Sequence, residues 1–188
     1  MFWKRSLDIL LGAPALIVLA IPIALIAILV RATSSGPAVH WSNRVGRYNK
    51  NFRMPKFRTM YTSTPDLPTH LLQDPGKWIT PIGRVLRKTS LDELPQLWSV
   101  VKGDMSLVGP RPALHNQDDL VALRTARGVD RLRPGITGWA QINGRDELPI
   151  PVKAELDAEY LARRSLWFDL RIIFRTFVKV FGRDGVSH

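Results

Sequence analysis

The chain has 188 residues, enough for one domain with an appendage, and no cysteine, which excludes disulfides, thiolate zinc sites and a cysteine nucleophile. Its 27 Lys and Arg against 16 Asp and Glu leave a formal charge of +11, so the expected partner is anionic: nucleic acid, a phosphorylated substrate or a membrane surface. The missing cysteines fit a reducing, cytosol-facing protein.

The N-terminus chooses among these partners. Residues Ile9 to Val30 carry no charged side chain and are long enough to cross a bilayer core. No small-residue cleavage site marks a signal peptide. Pro22 interrupts the apolar run near its middle, where a kink or break is expected. Lys4 and Arg5 precede the run, and Arg31, Arg44 and Arg47 follow it, so the positive-inside tendency pulls both ends to the cytoplasm. A helix-break-helix that dips into one leaflet and returns satisfies both constraints. One ordinary transmembrane helix is the alternative.

Ser34-Ser35-Gly36-Pro37 is a turn that closes the membrane segment. Val39 to Trp41 and Phe52 to Met60 read as short strands, joined by a basic, turn-rich connection over Asn43 to Asn51. Thr62 to Gly76 is rich in Pro and Thr and reads as a mobile loop over a site.

The densest chemistry lies in TSLDELPQLWSVVKGDMSLVGPRP, Thr89 to Pro112. Ser90 and Glu93 form an S-x-x-E capping box, which predicts a helix from Leu91 with Leu91, Leu94, Trp98 and Val101 on one buried face. Asp92 and Glu93 then occupy the first turn, where the helix dipole favours ionised carboxylates. Pro95 offers a second arrangement, a helix that starts nearer the proline and leaves the acidic pair in the preceding turn. Acidic residues in such a turn are ordinary capping. The continuation points further: Gly103-Asp104 ends the helix, and Gly109-Pro110-Arg111-Pro112 fixes one guanidinium between two prolines, which suits bidentate phosphate recognition. Asp92 is the candidate nucleophile, and Glu93 with Asp92 the candidate ligands of a divalent cation.

Further along, Gln117 to Ala126 reads as a polar helix, Arg133 to Gly138 as turn-rich, and Pro151 to Arg163 as a helix opening at a proline. From Trp167 to Phe181, Leu170, Phe174, Phe177 and Phe181 form an apolar stripe beside Arg171, Arg175 and Lys179. That pattern describes either an interfacial helix in the headgroup region or a helix packed on the protein's own core. Lys56, Arg58, Arg84, Arg87, Lys88, Arg111 and Arg145 are the basic candidates for anionic substrates, although a solvated surface Arg is the commoner fate of each alone. Trp139, Asn143 and Arg145 are candidates for holding a base or ribose, and Asp157 for a sugar contact or a supporting role. The four histidines are scattered without ligand spacing.

Thr89 to Pro112 resembles the signature of the bacterial sugar transferases that act as monotopic polyprenyl-phosphate phosphoglycosyl transferases. The resemblance continues through KFRTM (Lys56 to Met60), ITPIGRVLRKTS (Ile79 to Ser90), RPGITGWAQINGR (Arg133 to Arg145) and LDAEY (Leu156 to Tyr160), in order along nearly the whole chain. It implies an α+β, mainly helical fold. A re-entrant membrane helix spans residues 1–33 with its break at Pro22. A small cytosolic catalytic domain with short strands spans residues 34–188 and ends in an interfacial helix over roughly 165–182. The implied reaction moves a sugar-1-phosphate from a UDP-sugar to undecaprenyl phosphate through an aspartyl-phosphosugar on Asp92, with Mg²⁺ held in part by Glu93 and a phosphate positioned by Arg111. The implied place is the cytoplasmic face of a bacterial inner membrane, among membrane phospholipids. A homodimer or downstream glycosyltransferases are the protein partners in view. Larger relatives carry extra transmembrane helices and another domain before this unit, so the expectation is the small, catalytic-core form.

The chain departs from the family pattern at Ile21, where Ser is frequent before the proline, at Trp41-Ser42, where an aromatic followed by Gln is usual, and at Pro55, where Tyr is common. These bear on the membrane break and on donor fit. Competing classes explain less. A membrane-tethered nucleic-acid-binding protein needs a basic helix or RNA-binding motif, and none is visible, so no nucleic acid is expected. A scaffold does not need the acidic pair beside the GPRP turn. A metal-dependent phosphohydrolase would release free sugar phosphate without a lipid acceptor.

Overall fold

A computed structural model describes residues 2–65, 74–144 and 148–181. The chain opens with α1 (Phe2–Val18) and α2 (Ala20–Thr33), which meet at a bend of 56°. The break falls at Leu19, before Pro22 rather than at it. Proline has no N–H for the carbonyl four residues back, and its ring crowds that carbonyl, here Val18. The regular bonding therefore yields just upstream, while Leu19 N still reaches Ala15 O and Ile23 N reaches Leu19 O, each at 2.9 Å. Leu10, Ile17, Val18, Ile21 and Ile28 are exposed along the pair. No single described helix is long and apolar enough to cross a membrane, but the bent pair together has the length and composition.

Both arms are fastened to the rest of the fold. Arg5 donates to Val100 O and Val101 O at 2.6 Å each, satisfying carbonyls in the last turn of α5 (Gln96–Lys102). Asp8, fully buried, accepts from Ser106 Oγ at 2.8 Å and Leu107 N at 2.9 Å. Lys4 donates to Tyr160 and to buried Asp169. Val30 of α2 packs with Phe57 and Leu86.

After the Ser34–Pro37 turn come β1 (Val39–Val45) and β2 (Asn51–Phe57), an antiparallel hairpin in which His40 faces Lys56 and Val45 faces Asn51. Strand β1 runs further into the basic connection than its sequence predicted, because Tyr48 and Asn49 at φ 56° and 57° make the turn compact, and β2 ends sooner, at Phe57, which pairs with the first residue of β1. Of the expected loop over Thr62 to Gly76, residues 66–73 lie outside the described residues, and its end forms the short helix α3 (Pro75–Trp78). Helix α4 (Pro81–Thr89) follows, capped by Thr80, whose hydroxyl accepts from Gly83 N at 3.0 Å.

The capping box is not formed. Ser90 sits at φ 58°, the left-handed cap of α4, so it cannot be the extended N-cap of a helix beginning at Leu91. Leu91–Glu93 is instead a single 3₁₀ turn, and α5 starts only after Pro95, the second of the two arrangements. The buried face of α5 is accordingly Leu97 and Val100 with Gln96 and Ser99, while Trp98 is 53% exposed and Leu91 37%. Gly103 ends α5 at φ 103°, as expected of a C-terminal glycine.

Strand β3 (Ser106–Val108) pairs in parallel with β5 (Gly135–Thr137), and β4 (Ala113–Leu114) adds to β1, giving the order β2-β1-β4. The Arg133 to Gly138 segment is thus partly strand, not only turn. Gly109 and Gly135 allow the close backbone approach this needs, since a Cβ on either would strike the other segment's backbone. Helices α6 (Asp118–Ala126), α7 (Trp139–Ile142), α8 (Ile150–Arg163) and α9 (Leu166–Phe181) complete the described fold. Phe168 and Ile172 of α9 join Val108, Val129, Leu132, Ile142 and Tyr160 in the core, while Trp167, Phe174 and Phe177 are exposed. The helix thus packs on the protein's own core along one face and leaves aromatic side chains exposed on the other. Arg171, Arg175 and Lys179 are exposed as well.

Candidate active site

The acidic turn is walled by the hairpin, by α4 and by the turn between β3 and β4. Asp92 is only 9% exposed. Glu93 Oε1 receives Lys56 Nζ of β2 at 2.7 Å and lies 3.5 Å from Arg111 Nη1. Arg87, in the last turn of α4, donates from Nε to Thr59 Oγ1 at 2.9 Å. Burial lowers the Arg87 pKa, and the nearby Asp92 charge raises it in part. Helix α4 can lie this close to Thr59 only because Gly83 has no Cβ to meet the Thr59 backbone. Asp92, Glu93, Lys56, Arg87 and Arg111 are therefore brought together, although they come from distant parts of the chain.

Arg111 is held by its flanks. Pro110 O accepts from Gly135 N at 2.8 Å, Arg111 O from Arg124 Nη1 at 2.9 Å, and Pro112 O from Arg44 Nη1 at 3.2 Å. Its side chain is more exposed than that of Lys56, 37% against 18%. Among the described residues no group of three or more His, Cys, Asp or Glu could hold a metal ion. Adjacent hard carboxylates at Asp92 and Glu93 still fit Mg²⁺, which commonly binds one or two carboxylates and completes its shell with substrate phosphates and water.

The remaining sequence candidates are placed elsewhere. Arg58 is buried and donates to Ser34 O at 2.7 Å, Ser34 Oγ at 2.8 Å and Ser35 O at 2.5 Å, which straps the turn after α2 to the end of β2. Trp139 donates to Glu159 Oε2 at 2.7 Å, lies 5.0 Å from the Phe168 ring and is covered by Arg163 and Arg175. That hydrogen bond is the main reason the Glu159 pKa is lowered. Asn143 donates to Trp139 O at 2.7 Å. Arg145 lies outside the described residues. Asp157, 1% exposed, pairs with Arg124. Arg124, Thr59 and Asp8 were not among the sequence candidates. Arg124 lies in a helix with no motif of its own, Thr59 is the small polar residue within KFRTM, and Asp8 only edges the apolar run.

A nearly enclosed carboxylate beside converging cations, on a domain fastened to an exposed apolar helix pair, fits group transfer between anionic substrates at an apolar surface. The chain belongs to the bacterial sugar transferase family, which it matches over residues 1–183. It is 38% identical over 202 residues to a UDP-galactose-lipid carrier transferase of Erwinia amylovora, covering 98% of this chain and 41% of that protein. It is 38% identical over 186 residues to the UDP-glucose:undecaprenyl-phosphate glucose-1-phosphate transferase of Escherichia coli (strain K12), covering 95% of this chain and 40% of that protein. An uncharacterized sugar transferase of Bacillus subtilis (strain 168) is 40% identical over 187 residues, covering 100% of this chain and 91% of that protein. The chain thus spans about two fifths of the first two relatives and nearly all of the third.

Proposed function

We propose that this chain moves a sugar-1-phosphate from a UDP-sugar to undecaprenyl phosphate, releases UMP, and passes through a covalent phosphosugar on Asp92. The observation that carries this reading is Asp92 itself, enclosed beside Arg87 in a turn where Lys56 and Arg111 converge on Glu93. The names of the first two relatives support it, since they pair a UDP-sugar with a lipid carrier or with undecaprenyl phosphate. They differ in the sugar, so the donor is assigned only as a UDP-sugar.

In the first step an Asp92 carboxylate oxygen attacks the β-phosphorus. The bond from that phosphorus to the oxygen bridging the α-phosphate breaks, and UMP leaves with the electron pair. An oxygen of the lipid phosphate then attacks the same phosphorus, the bond to Asp92 breaks, and the carboxylate returns. Arg111 and Arg87 orient and offset phosphate charge, and Lys56 fixes Glu93; transfer of this kind depends mainly on placement and electrostatics. Mg²⁺ held by Glu93 and Asp92 would supply positive charge against the diphosphate and the leaving UMP.

In this reading residues 1–33 act as the re-entrant membrane helix and residues 34–188 as the catalytic domain of a monotopic enzyme on the cytoplasmic face of the bacterial inner membrane, a reading supported by the bent apolar pair, its exposed side chains and the basic residues on both sides of it. The prenyl chain of the acceptor stays in lipid while its phosphate meets Asp92 at the interface. UMP release from a panel of UDP-sugars with Mg²⁺ tests the reading. Without acceptor at most one UMP per enzyme is expected, sustained release should require undecaprenyl phosphate, and both should be abolished in Asp92→Asn. Turnover unchanged in Asp92→Asn, or no turnover with any donor, would overturn it.

A further inference from the structure

We infer that Arg124 is a positioning residue for the transfer, gripping the backbone of Arg111 from α6 while Asp157 of α8 locks its guanidinium. The inference rests on the reaction proposed above. Arg124 donates from Nε and Nη2 to Asp157 Oδ2 at 2.9 and 2.6 Å, and from Nη1 to Arg111 O at 2.9 Å. Both side chains are withdrawn from water, at 11% and 1% exposure.

A buried ion pair is a poor device for stability alone, because desolvation consumes much of the Coulombic gain. Its position carries the argument. The prolines at 110 and 112 have no N–H, so the turn that presents Arg111 can be held from those flanks only through carbonyl oxygens. Three successive carbonyls are taken, by Gly135 N, Arg124 and Arg44. Of these three donors Arg124's lands on Arg111 itself, and its other two bonds go to one carboxylate on a different helix. The planar fork can satisfy both partners at fixed angles, which lysine cannot.

Asp157 is thereby assigned to Arg124 rather than to the sugar. Rotation of the Arg111 peptide would swing the guanidinium relative to Asp92, and a misplacement near 1 Å costs on the order of 100-fold in rate.

The test is a double-mutant cycle on lipid-dependent UMP release by the full chain in nanodiscs, using Arg124→Gln, Arg111→Gln and both together. Arg124→Lys, which retains a cation for Asp157, replaces Arg124→Gln in the cycle should that variant fail to fold. The expected result is a loss of roughly 10- to 100-fold in kcat for Arg124→Gln or Arg124→Lys in the wild-type background. The same substitution should cost less than about threefold when Arg111 is already Gln, because coupled sites are not additive. Penalties that multiply in the double variant, with wild type active, overturn the inference and leave the reaction reading intact. A wild type that releases no UMP overturns the reaction reading and this inference with it.

Discussion

Replacing Arg58 with Met should separate a structural role from a substrate-binding one. Arg58 is 6% exposed, and its guanidinium donates to Ser34 O, Ser34 Oγ and Ser35 O, with Val30 O at 3.4 Å. Burial lowers its pKa, a sign of the desolvation this placement costs. Hydrogen bonds to a charged group contribute about 1.5–3 kcal/mol each, but desolvation of the guanidinium offsets part of that sum. Ser35 is also exposed, so water can replace its share. A net loss of about 3 kcal/mol follows, equivalent to roughly 6–12 °C in Tm for a chain of this size. Thermal unfolding in nanodiscs at a fixed scan rate, paired with the donor KM of the folded variant below its transition, is the assay. The expected result is a lowered Tm with KM changed less than about threefold. A raised donor KM at unchanged Tm would refute the strap and restore Arg58 to the substrate site. Gly36→Ala should act in the same direction, because Gly36 has φ 109° and a Cβ there would meet the Arg58 guanidinium.

Gly83→Ala would drive a Cβ into the Thr59 backbone, so α4 and Arg87 must shift; a loss on the order of 2–3 kcal/mol in denaturant unfolding and a fall in UMP release are expected. Burial pushes the Asp157 carboxyl above its ordinary value, and Arg124 restores only part of the difference. The folded chain therefore binds more protons than the unfolded chain from about pH 4 up to that raised value, and stability falls as pH rises through the window. The stability advantage of wild type over Asp157→Asn should shrink across it, and an advantage that grows would contradict the assignment. Because the chain has no cysteine, Phe174→Cys gives a unique spin-label site on the exposed face of α9. In vesicles its label should relax faster with oxygen than with a water-soluble nickel complex, and a label at Lys50→Cys should do the reverse.

Much of the fold was readable because strong local signals decide it. The apolar run with Pro22, the glycine after Lys102, the proline opening α8 and the stripe of α9 each rest on backbone chemistry or periodicity that neighbours do not override. The acidic turn was harder. Ser90 and Glu93 have capping-box spacing, but Pro95 and the demand of α4 for a left-handed cap override it, and the buried face of α5 changes with that. The strand within Arg133 to Gly138 was not legible, because its pairing with β3 is a long-range fact that a glycine-rich segment does not announce. In the site, Asp92, Glu93 and Arg111 were visible as residue types in a telling order. The partnership of Arg124 with Asp157 was not, because it joins two helices: Arg124 lies in no motif, and LDAEY marks Asp157 without naming its partner. Arg58 shows the converse: a basic residue inside a family motif, spent on holding the chain together.

The most direct test of the central claim is the covalent enzyme. Wild type incubated with a UDP-sugar labelled at the β-phosphate and Mg²⁺, without acceptor, should retain label that maps to the peptide containing Asp92. That label should be discharged by undecaprenyl phosphate and be absent from Asp92→Asn. Lipid product formed with no protein-bound label, together with turnover by Asp92→Asn, would contradict the account.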